Sequence, residues 1–416
     1  MVIKKNELAT FVVYIGMLAI ALLVALFIIR PVVTRTGSAM QINFIALVIL
    51  GLISGVLLNA FILEGGHALG AKAGKNRIYR WNLLGFTFDF KEGSKKPKFR
   101  FSAPEGLIGD TAVLPLDREK STLSAYILFP FLGIIIEVIG FMIMVVNGNS
   151  LIDRGQLSNG WLVVFGQVNL AVTGMMVLYD IFPARLESIT DGFLLTLLTK
   201  PANKLAYNDI LVQEYQKYNK LEVTELPVYT EVSDFTYQVN AYTALKKIEA
   251  GKLDEAIKIY DLAINTERGL IKAKKYEATC AKFVLLCLTG KARDAKLMYE
   301  GFSDQIKSYI GELSNLSSGR TYLLVSGLFE SSQDEADYVL GKFERMLKNT
   351  EKDIRPIEIK LIENCLTLIA SNHPSWNLEF EYHDKDEEEE EVVEEETSEE
   401  TIEEVEEIEE EIDDKN

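Results

Sequence analysis

The chain has 416 residues, 48% of them hydrophobic, and a formal net charge of −18. Three cysteines are too few for a disulfide-stapled scaffold, and the lack of a basic excess argues against nucleic acid as a partner. The charge itself is local: residues 384–416 hold 21 acidic residues and two lysines, which leaves the rest of the chain at +1.

In chain order, the first feature is an uncharged apolar run over residues 8–29, followed by a second over residues 41–63. A bilayer core of about 30 Å is crossed by about 20 helical residues, so each run is long enough to span. The first is longer than the apolar part of a signal peptide and is not closed by a small-residue cleavage site, so it is read as a span.

The second run leads into Leu63-Glu64-Gly65-Gly66-His67. Residues 68–124 follow, a basic segment with eleven Lys/Arg against six Asp/Glu that includes alternating, strand-like residues around Trp81–Phe90. The third run, residues 125–146, carries one charge, Glu137, near its middle. An isolated carboxylate at that depth is costly, so it is expected to be protonated and bonded to Asn59, Gln167 or Asn169, with contact to a client helix as the alternative role. The fourth run, residues 161–179, ends in Asp180-Ile181-Phe182-Pro183, and Asp191-Gly192 reopens a helix.

Lysines and arginines gather at the amino terminus (Lys4, Lys5) and between the second and third runs, against two arginines and one in the other two loops. The positive-inside rule then puts both termini in the cytoplasm. The expected fold is mainly α: a polytopic, multi-pass protein of the cell membrane with four transmembrane helices and a small β segment, followed by a cytosolic helical domain.

Residues 200–237 read as a connector. Beyond it one pattern occurs twice, "GKLDEAIKIY" from Gly251 and "GKARDAKLMY" from Gly290, with a fainter copy, "SSQDEADYVL", from Ser331. Glycine suits a tight turn, alanine a close helix approach, and tyrosine or leucine the groove beside it. The pattern resembles tetratricopeptide-type repeats at a longer period of 39 residues, and implies stacked helix pairs that bind a cytosolic protein or peptide. The acidic tail cannot bury enough surface to fold and is expected to be disordered. The domain boundaries are therefore 1–40, 41–199, 200–237, 238–380 and 381–416.

The membrane motifs together resemble the site-2 protease family of intramembrane zinc metalloproteases. That family carries H-E-x-G-H near the end of one span, a small strand region, and N-x-x-P…D-G around a later span. Glu64, Gly66, His67, Pro183, Asp191 and Gly192 match. The resemblance implies His67 and Asp191 as metal ligands and Glu64 as the general base that activates metal-bound water. Leu63 stands at the first zinc-binding histidine, and Asp180 at the asparagine. A hydrolytic zinc needs three protein ligands and a water, and two remain, since His373 and His383 lie far along the chain. The expectation is thus no bound zinc and a pseudoprotease that binds or regulates a transmembrane client. The alternative is an active protease with an altered ligand set.

Overall fold

Apolar surface dominates the first half of the chain, and it decides how the helices lie. In a computed structural model, which describes residues 5–39, 43–90, 96–104, 106, 108–183, 186, 189–350 and 352–382, α1 (Lys5–Leu23) passes through a π-helical turn at Val24–Ile29 into α2 (Arg30–Thr36). Helices α3 (Phe44–Ala73), α4 (Ser124–Asp153) and α5 (Gly160–Asp180) pack on one another. Four helices, Ala9–Thr36, Phe44–Ala73, Ser124–Asp153 and Leu157–Asp180, are long and apolar enough to cross a membrane. Large side chains stay exposed along them, including Leu18, Phe27 and Ile136, each above 70%. So much exposed apolar surface is compatible with a membrane-embedded protein.

Small residues set the helix contacts, as they do where apolar solvent removes the drive to hide aliphatic side chains. A Cβ on Gly66 would sit 2.6 Å from the Pro130 backbone, and one on Gly70 would sit 2.2 Å from the Ala125 carbonyl. These two positions, one turn apart, therefore let the start of α4 cross directly over α3.

Between α3 and α4 the chain forms one antiparallel sheet of β1 (Asn76–Leu83), β2 (Phe86–Asp89), β3 (Lys98–Phe101) and β4 (Gly109–Pro115), in the order β3-β2-β1-β4. Pairing Trp81 with both Phe88 and Thr111 puts these three on one face. That face meets α3: Leu83 and Ile108 join a buried cluster with Ala60, Leu63 and Ile134. No strand among the described residues pairs with the outer edge of β4.

The end of α5 leads to the short α6 (Asp191–Leu197), capped by Thr190, whose hydroxyl oxygen accepts from the Phe193 amide at 3.2 Å. The segment read as a connector contains an 18-residue helix, α7 (Pro201–Tyr218), that packs against β4. Its apolar residues are diluted by lysine, asparagine and glutamine, which hides the helical period from a sequence reading.

Contacts divide the chain into two units, Met1–Val239 and Asn240–Asn416, with the division inside α8 (Asp234–Glu249). The regular elements among the second unit's described residues are all helical: α9 (Leu253–Asn265), α10 (Lys272–Leu288), α11 (Ala292–Glu300), α12 (Asp304–Gly311), α13 (Leu316–Val325, continued by a π-helical turn at Ser326–Glu330), α14 (Gln333–Lys348) and α15 (Arg355–Asn372). The three copies of the sequence pattern fall at equivalent corners, before α9, α11 and α14. Gly251 and Gly290 have φ of +74°, and Ser331 has φ of +52°. At the two glycines the Lys252 amide donates to the Lys247 carbonyl and the Lys291 amide to that of Leu286, the six-to-one bond of a Schellman turn. Ala256, Ala295 and Ala336 are each fully buried. The acidic tail and His383 lie outside the described residues.

Candidate functional site

The residues singled out in the sequence come from three separated stretches, and the fold brings most of them to one cavity. It has a volume of about 690 Å³ and is lined by α3, β1, β4, α4, α5, α6 and α7. α3 does not end at the motif but continues six residues past His67 to Ala73, so Leu63, Glu64 and His67 lie inside a 30-residue helix.

Glu64 is 5% exposed, and its Oε2 accepts from the Thr111 hydroxyl at 2.7 Å. β4 approaches this carboxylate so closely that a Cβ on Gly109 would meet the Glu64 Cγ at 2.5 Å. The indole of Trp81 donates to the Glu64 carbonyl at 3.3 Å.

His67 stacks on Tyr126, with ring centroids 4.3 Å apart, and its Nδ1 lies 3.1 Å from the Tyr126 carbonyl. A carbonyl only accepts, so Nδ1 carries the proton and Nε2 is left as an acceptor. Nε2 faces Asp191 Oδ2 at 3.9 Å, beyond hydrogen-bond range.

Asp191 is 4% exposed, and its Oδ2 has no hydrogen-bond partner among the described residues. Its backbone amide donates to Asp180 Oδ1 at 3.3 Å, which joins the α6 start to the α5 end. Asp180 Oδ2 is likewise buried without a partner. Burial pushes the Asp191 carboxyl well above the usual carboxylate range, and the negative charges of Asp180 and Glu64 push it further. Gly192 follows because a Cβ there would lie 2.0 Å from the Ile181 carbonyl. Pro183 sits exposed on the link between α5 and α6.

The arrangement does not fit zinc. Leu63 offers no donor and is held in its apolar cluster at 6% exposure. Tetrahedral zinc ligands at about 2.1 Å lie roughly 3.4 Å from each other, and His67 and Asp191 present their atoms 3.9 Å apart. Among the described residues no three His, Cys, Asp or Glu side chains converge to hold a metal ion.

Glu137 does not line this cavity. It belongs to a separate polar cluster between α3, α4 and α5, where its Oε1 accepts from Asn59 Nδ2 at 3.3 Å and from the Thr173 hydroxyl at 3.2 Å. Asn169 bonds Ser54 instead, at 3.1 Å. His373 stacks on Trp376 in the second unit.

Sequence reasoning missed Thr111, Tyr126 and the α7 face formed by Tyr207, Leu211 and Tyr218, all of which line the cavity. Only α7 left a signal, an i, i+4, i+11 spacing of bulky side chains. Comparison with protein-family models, with curated proteins and with solved structures finds no match for the chain.

Proposed function

We propose that this is a site-2-protease-like integral membrane protein that binds or regulates a transmembrane client without cutting it. It is multi-pass in the cell membrane, with both termini cytoplasmic, and its second unit is a tetratricopeptide-like adaptor for a cytosolic protein or peptide. The observation that carries the reading is Leu63: an aliphatic side chain at the first ligand position, packed among Ala60, Leu83, Ile108 and Ile134, one residue from Glu64 and one helical turn from His67. Without a third ligand there is no metal-activated water, and Glu64, already bonded to Thr111, has no hydroxide to make.

What remains is suited to binding. β4 puts Thr111, Ala112 and Val113 in the cavity wall, its outer edge is paired with no strand among the described residues, and its Thr111 carbonyl accepts from the Tyr126 hydroxyl at 3.1 Å. An extended segment can add to such an edge through main-chain hydrogen bonds and place alternate side chains in the cavity. In the second unit a further cavity of about 580 Å³, lined by Ile248, Leu253, Leu361 and Lys360 among others, supports the adaptor role.

The test is incubation of the purified protein in nanodiscs with a panel of transmembrane peptides, read by mass spectrometry. Retained, intact peptide is expected. Cleavage products that disappear in Glu64→Gln would contradict the reading.

A further inference from the structure

The cavity gathers more acidic side chains than basic ones. Its carboxylates are Glu64, Asp110, Asp180, Asp191 and Glu214, and its cations are Arg80 and Lys217. Arg80 is engaged: it bonds Asp110 at 3.0 Å and lies over the Tyr218 ring at 5.4 Å. No lysine or arginine among the described residues bonds Glu64, Asp180 or Asp191, and the last two each keep a buried oxygen without a partner. Buried polar atoms are otherwise almost always satisfied, so an unpartnered oxygen on a 4%-exposed carboxylate that lines a cavity marks a place for a donor.

Acceptors surround that place. Asp191 Oδ2 and the unprotonated Nε2 of His67 face each other at 3.9 Å, with Asp180 joined to Asp191 through its backbone amide. The spacing is wide for a metal with bonds of about 2.1 Å. It leaves room for a nitrogen donor, whose hydrogen bonds run about 2.7–3.0 Å. A primary ammonium carries three rotatable donors on a flexible apolar stem, and Leu194, Tyr126 and Tyr179 line the same cavity as apolar and aromatic wall.

We propose that the relic of the protease site is a pocket for a cationic side chain, a lysine ammonium presented by a client segment lying along the β4 edge. The inference rests on the client-binding reading above and names the chemistry of the client: an extended segment with one basic residue. The carboxylates of Asp180 and Asp191 take the charge, and His67 accepts the remaining donor.

The experiment uses the full chain in nanodiscs and a fluorescein-labelled nonapeptide of alternating threonine and valine with one central lysine, read by fluorescence anisotropy. Parallel peptides carry norleucine or acetyl-lysine at the centre. The lysine peptide is expected to bind at least tenfold more tightly than either. Asp191→Asn and Asp180→Asn, folded by size-exclusion elution and circular dichroism, are expected to bring it down to the norleucine peptide's level. Equal binding of the three peptides to the unsubstituted protein would overturn the pocket while leaving strand addition standing. A lysine preference that survives both substitutions would overturn it too. Failure of all three to bind would overturn strand addition and the pocket together. Butylammonium, tested as a competitor, is expected to be at least a hundredfold weaker than the lysine peptide; equal affinity would give the site to a free alkylamine and overturn the client assignment.

Discussion

At the residue scale the account depends on which buried polar groups have partners. Glu137 has two donors, Asn59 and Thr173, directed at one oxygen. Glu137→Gln keeps an acceptor there and is expected to change the melting temperature in detergent little. Glu137→Leu removes the shared acceptor, leaves Asn59 with the Gly55 carbonyl and Thr173 with that of Asn169, and is expected to cost about 0.6–2 kcal/mol, the range for interhelical hydrogen bonds in membranes. Equal losses from the two substitutions would show that the negative charge, not the acceptor, holds the cluster. The cysteines give a second residue-scale prediction. Cys280, Cys287 and Cys365 are buried, and burial pushes each thiol up to about 12. The raised values deplete thiolate at pH 8 by roughly a thousandfold relative to a free thiol, and the thiolate is the reactive form. Native protein is therefore expected to give almost no signal with Ellman's reagent at pH 8, and all three thiols after denaturation. Fast labelling of one thiol in the native state would refute its burial.

At the element scale the contacts that matter are close backbone crossings and the two latches on α7. Gly66→Ala would push a methyl into the Pro130 backbone, and overpacking of that kind costs about 1–3 kcal/mol; a clear fall in melting temperature is expected. α7 is tied down at its middle and at its carboxyl-terminal end. Asp209 takes a bidentate bond from Arg118 at 2.6 and 2.7 Å and a bond from the Tyr229 hydroxyl. Tyr218 bonds Asp89 and accepts from Arg100 at 3.0 Å. Hydrogen bonds to charged groups contribute about 1.5–3 kcal/mol, discounted here because Arg118 is half exposed. Asp209→Asn with Tyr218→Phe is expected to speed amide exchange across α7 about tenfold by mass spectrometry. Unchanged protection would mean that α7 is held by Leu211 and its apolar neighbours alone.

How much of this was legible in the sequence also differs by element. The four apolar helices were plain because hydropathy over 20 residues needs no tertiary information, although α3 runs ten residues past the apolar stretch, its glycines and His67 being held by α4 and the sheet. The corners at Gly251, Gly290 and Ser331 were visible because a left-handed turn residue followed by a buried alanine leaves a local trace. Thr111 and Tyr126 were not, since they join the site only through strand register and helix crossing. Asp180 showed as a departure from a motif, but its bond to the Asp191 amide depends on how α5 and α6 meet.

At the scale of the whole molecule, four helices are long and apolar enough to cross a membrane, and the proposed function has all four do so, which puts both ends on one side. On that proposal a cysteine placed at Gly155, between α4 and α5, is expected to react with a membrane-impermeant maleimide in intact cells, and one at Lys307 only after permeabilisation. The reverse pattern would invert the assigned topology. The zinc content of the purified, full-length protein tests the central claim most directly, measured by inductively coupled plasma mass spectrometry after purification without chelators. The account predicts far less than one zinc per chain, unchanged by His67→Ala or Asp191→Asn, with Leu63→His as the one substitution that raises it. One zinc per chain in the unsubstituted protein, lost in either of the first two variants, would contradict it.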